Sequence, residues 1–108
     1  MTELEYINLR HELLWTLLVP RSIQAECEQF DMGTRKTLQL IHSLLVDYMT
    51  EFTRGELTFE QFKRELKRVD ELSTTLFERL SKQYSDELLN KIKKAIFIKY
   101  MEELREPN

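Results

Sequence analysis

Three observations predict an all-α protein, a four- or five-helix bundle in a single domain over residues 1–108. The first is a scarcity of helix breakers. Only two glycines and two prolines occur in 108 residues, whereas β-rich folds need many more turn residues. The second is composition. The chain is 42% hydrophobic and 32% charged, with abundant Leu, Glu and Lys, which favour helix. The third is periodicity. Between Thr58 and Tyr84 apolar residues fall at Phe59, Phe62, Leu66, Val69, Leu76 and Leu80. Steps of three, four and seven keep one face of a helix apolar.

The elements follow in order. Thr2 can cap a first helix over 2–19, with Glu3 and Glu5 in its first turn facing the positive end of the helix dipole. Leu4, Ile7, Leu14 and Leu18 share a stripe, with Tyr6, Leu13 and Leu17 beside it. Trp15 and Val19 spread the apolar surface further. The segment LLWTLLV is therefore apolar nearly all round, which suits a core position or a surface shared with a partner. Pro20 ends or kinks this helix, because it lacks an amide hydrogen and disfavours helix at Val19. A short second helix is expected near 21–31, with Ile23, Cys27 and Phe30 inward. Gly33 is a natural stop, and Thr34 can cap a third helix reaching Arg54. Its stripe is Leu38, Ile41, Leu45, Tyr48 and Phe52.

Gly55 leads to the spine, a long helix near 58–84. Thr58 and Gln61 make a capping-box pair. Residues 58–84 would span about 40 Å as one helix. Leu72, Phe77 and Tyr84 widen its stripe beyond a coiled-coil seam, and Ser73 in the middle allows a second helix to pass close. Its other face is charged, with Glu60–Arg64 and Glu78–Lys82 at favourable spacing. Ser85, followed by Asp86 and Glu87, starts a final helix to about Glu103 or Arg105. Leu88, Leu89, Ile92, Ala95, Ile96 and Tyr100 form its core stripe. Phe97, Met101 and Leu104 make a second track.

Charge and cysteine content narrow the function classes. The net charge is −3, so no overall basic field draws the chain to nucleic acid or anionic lipid. The longest apolar run, Leu13 to Val19, is too short to span a membrane. The N-terminus lacks the pattern of a secretory signal. Cys27 is the one cysteine and cannot form an intramolecular disulfide. A cytoplasmic protein is expected.

Candidate chemistry centres on Leu9-Arg10-His11-Glu12-Leu13. This stretch resembles the phosphoacceptor box of sensor histidine kinases and related phosphotransferases, in which a helical His is followed by an acid. His11, Glu12, Leu13 and Leu17 match that pattern, while Leu14, Trp15 and Thr16 depart from it. The resemblance implies a phosphate relay with an exposed His11 as acceptor and Glu12 holding the other ring nitrogen or accepting its proton. His11 also shares the stripe of Ile7, Leu14 and Leu18, which favours a partly buried structural histidine. His42 reads as structural as well.

Other chemistry is weaker. Asn8 and Gln39 stand three residues before the histidines, where an inward Glu-x-x-His metal bundle needs carboxylates. No metal or other cofactor is expected. Gly33 and Gly55 are isolated and make no phosphate loop. Lys63, Arg64, Lys67 and Arg68 form a basic cluster, but Glu60, Glu65, Asp70 and Glu71 are interleaved. That pattern suits a mixed solvated face better than a nucleic-acid site.

What remains is surplus apolar surface, on LLWTLLV and on the second track of the last helix. Large apolar and aromatic side chains are the anchors of protein interfaces. The leading expectation is a non-enzymatic interaction module: a regulator, adaptor or inhibitor acting through helix–helix contacts, self-associating as a homodimer, with another protein and/or itself as partner. Its expected interface residues are Trp15, Leu18, Phe97, Met101 and Leu104.

Overall fold

The computed structural model describes residues 1–98. Among them are five α-helices: α1 (Glu3–Leu18), α2 (Arg21–Cys27), α3 (Met32–Thr53), α4 (Phe59–Leu80) and α5 (Asp86–Lys93). A π-helical turn, Lys94–Ile98, continues α5. The bundle expected from periodicity is present. Tyr100, Met101, Leu104 and the rest of the second apolar track after Phe97 lie outside the described residues.

Helix α4 is held at its start by the capping box. The Thr58 hydroxyl accepts from the Gln61 amide at 3.1 Å, and the Gln61 side chain accepts from the Thr58 amide at 2.9 Å. Its apolar face is buried from Phe62 through Leu66, Val69, Leu76 and Phe77 to Leu80, with Ser73 buried among them. Leu72, expected to widen that face, is exposed instead. The helix also stops four residues short of Tyr84. The chain turns after Leu80, and Tyr84 packs edge-on against Phe30 with ring centroids 4.7 Å apart. The pairs Glu60–Lys63 (3.9 Å) and Glu65–Arg68 (3.5 Å) form on its outer face, one residue closer in sequence than the pairs expected.

Helix α3 is as long as α4, at 22 residues each. The spine is therefore a pair of helices rather than α4 alone. They run antiparallel from the Gly55 turn, where φ is +77°, a left-handed value that suits glycine. Phe52 stacks edge-on with Phe62 at 4.8 Å near that turn. α3 begins at Met32, with Gly33 inside its first turn, rather than at a Thr34 cap. Asp31 explains the earlier start. Its carboxylate accepts from the Thr34 amide at 2.7 Å, which satisfies an open helix-start donor. The same hydrogen bond holds the Asp31 carboxyl below its ordinary range. α2 is correspondingly shorter than expected and gives way to a turn after Cys27.

Helices α1 and α5 close the bundle. Leu89, Ile92 and Ile96 bury one side of α5 and its π-helical turn, and Lys91 reaches Glu26 of α2 at 3.2 Å. α1 ends at Pro20. Val19 there is extended, and the Gln24 side-chain amide donates to the carbonyls of Thr16 (3.1 Å) and Val19 (2.7 Å), with the Trp15 carbonyl at 3.3 Å. Gln24 thereby satisfies helix-end acceptors that Pro20 leaves open. Pro20 separates two helices; it does not kink one.

Candidate interaction surface

Helix α1 packs chiefly against α3. Two contacts fix it. The Trp15 ring meets the buried His42 ring edge-on, with centroids 5.9 Å apart. Arg10 forms a two-pronged ion pair with Asp47, at 2.5 and 3.1 Å. Later residues of α1 meet earlier residues of α3, so the two helices are antiparallel. The ion pair is partly exposed, so its expected contribution is about 0.2–1 kcal/mol. The anchor is Trp15, at 6% exposure.

The rest of α1 is poorly covered. Tyr6 is 60% exposed, Leu13 50% and Leu17 76%, and Leu9 is exposed as well. Steps of three, four and four place Tyr6, Leu9, Leu13 and Leu17 on one stripe, turned away from His11 and Trp15. Leu4, Ile7 and Leu18 share the side of His11 and Trp15 by helical spacing and are exposed as well. The helix thus carries one apolar side inward and a second apolar side outward.

This arrangement redistributes the expected interface residues. Leu18 is exposed, as an interface residue must be. Trp15 and Phe97 are in the core and are not available at the surface of this conformation. Trp15 is drawn in by His42. Phe97 lies near Phe77 and Lys93 in a groove of about 510 Å³, where the Lys93 ammonium sits 5.0 Å from the Phe77 ring centre. Met101 and Leu104 lie outside the described residues. Tyr6, Leu9, Leu13 and Leu17 were the residues to notice. Their signal was a second stripe at helical spacing on a helix that already had one.

His11 and Glu12 lie at a small polar notch with Asn8, Lys36 and Gln39. His11 is half-buried. Burial, and then the charge of Arg10, lower its pKa from the ordinary 6.5, against an opposing pull from Asp47. Its imidazole is therefore neutral at pH 7. His42 is fully buried. Cys27 is buried too, and burial with the nearby Glu26 pushes its thiol up to about 12, which leaves it protonated and unreactive at pH 7. Among the described residues no three His, Cys, Asp or Glu side chains gather in a way that could hold a metal ion. No helix of the described residues is long and apolar enough to cross a membrane.

In the basic cluster of α4, two of the four cations are engaged by neighbours on the same helix. Lys63 pairs with Glu60 and lies over the Phe59 ring, and Arg68 pairs with Glu65. Lys91 is held by Glu26 and Lys93 by Phe77. Compared with known proteins, the chain matches no family model, no curated protein and no solved structure.

Proposed function

We propose that this protein is a small non-enzymatic interaction module of the cytoplasm, a regulator, adaptor or inhibitor that docks through the outward face of α1. The observation that carries this reading is the exposed stripe Tyr6–Leu9–Leu13–Leu17. Soluble monomers rarely leave a contiguous apolar patch of several side chains uncovered, and such patches mark places where another surface binds. Tyr6 adds the amphipathic aromatic character common at interfaces. The lone buried thiol of Cys27 suits a reducing compartment.

A photo-crosslinking residue at position 13 tests this in the native cell, with the same residue at Glu71 on the charged face of α4 as the control. A discrete protein adduct from position 13 alone is expected. Equal labelling from both positions, or none from position 13, contradicts the reading.

One observation favours a second reading, a histidine phosphotransfer protein. Lys36 of α3 shares the notch of His11 and Glu12, and an ammonium there could receive the charge of a phosphorylated imidazole. The first reading is preferred because His11 is half-buried, while the apolar stripe is open. Incubation with a phosphorylated receiver domain separates the two. Equal labelling of wild type and His11→Gln removes the relay.

A further inference from the structure

We infer that the occupant of the α1 face is a basic amphipathic helix of another protein, rather than a second copy of this chain. This rests on the reading of α1 as a docking face and specifies its partner. The inference comes from the rim of the stripe. Helical spacing places Glu5 and Glu12 along one edge and Glu3 with Arg10 along the other. All three carboxylates are exposed, and none has an ion-pair partner within 4 Å among the described residues. Arg10 is the one Lys or Arg of α1, and both prongs of its guanidinium are taken by Asp47. Lys36 lies at the notch beside Glu12 without closing an ion pair. The face is therefore apolar at its centre and acidic at its rim.

A second copy fits that rim badly. The stripe is nearly symmetric about a point between Leu9 and Leu13. Reversed pairing would set Leu9 against Leu13 and Tyr6 against Leu17, so the apolar centre matches. The same pairing sets Glu12 against Glu12 of the other copy. Parallel pairing could bring Glu5 towards Arg10 of the other copy, but Asp47 already holds that guanidinium. Like charges across an interface suppress a wrong partner, and opposite charges select the right one. A helix with a leucine-rich face flanked by Lys or Arg answers both the centre and the rim. Helix α1 is about 24 Å long, enough for about four turns of such a partner.

Two synthetic helical peptides of equal length and identical leucine face test this, one with a Lys rim and one with a Glu rim. Binding is read by fluorescence anisotropy of labelled peptide at physiological salt, alongside light scattering of the protein alone. The Lys-rim peptide is expected to bind at least about tenfold more tightly, a difference of about 1.4 kcal/mol. Leu13→Gln with Leu17→Gln, which leaves the charge unchanged, should weaken it at least about tenfold. Glu5→Gln with Glu12→Gln should narrow the discrimination between peptides while circular dichroism stays unchanged. Equal affinity for both peptides overturns the basic partner and leaves the docking face standing. A stable dimer in light scattering that the double Leu variant dissolves also overturns it, in favour of a second copy. Lys-rim binding indifferent to Leu13→Gln/Leu17→Gln overturns both this inference and the docking face itself.

Discussion

Helices α4 and α1 use apolar residues in different ways. α4 divides cleanly. Phe62, Leu66, Val69, Leu76, Phe77 and Leu80 are buried, and its other side is charged, with Leu72 the one large apolar residue left out. α1 divides hardly at all. Trp15 is its sole buried residue, while Leu and Tyr side chains line its outer face. A helix whose apolar surface is consumed by its own fold is accounted for by stability alone. A helix with as much apolar surface outside as in carries more than folding requires. The contrast separates what holds this protein together from what it presents to others.

The largest effect should come from the inner side of α1. Trp15→Ala removes the ring that meets His42 and is expected to cost about 3–5 kcal/mol, read from urea unfolding. A small cost would mean that α1 is only loosely held and would blur the two faces. The next effect concerns the junction at Pro20. Gln24→Ala strips the helix-end carbonyls of their donor and should cost about 1–2 kcal/mol in the same experiment. An unchanged midpoint would show that water serves those carbonyls equally well.

A smaller effect is set by pH. The His11 pKa is lowered in the folded protein, so the unfolded chain binds its proton more readily. The stability tied to neutral His11 is fully present above the ordinary value of 6.5 and is lost as pH falls through 6.5 towards the lower folded value. His11→Gln should therefore flatten the decline in unfolding midpoint between neutral and mildly acid pH. An identical decline in both proteins would place the cause elsewhere.

Much of the fold was legible from the residues, because its signals are local. The capping box at Thr58 and Gln61, the Ser85 start and the break at Pro20 each act within a few positions. The Asp31 cap is masked in the sequence by Gly33 and Thr34, which make a competing boundary; in the structure the carboxylate cap prevails. α4 ends at Leu80, and Tyr84 beyond it meets Phe30, a contact between distant parts of the chain that no local pattern announces.

The candidate site was legible only as a segment. LLWTLLV was visibly too apolar, but choosing which of its sides faces inward requires knowing where His42 and Asp47 of α3 stand. Trp15, the largest side chain, was the natural choice for an interface anchor. It is instead the residue that attaches α1 to the core.

The most direct test of the distinction between the faces is the unfolding free energy of Leu13→Gln/Leu17→Gln in urea, at a protein concentration low enough to exclude association. Both leucines are exposed, so the variant should stay within about 0.5 kcal/mol of wild type, as surface changes usually do. A loss of about 2 kcal/mol or more would show that these leucines are covered by the protein's own chain in solution. The outer face of α1 would then belong to the core, and no docking surface would remain.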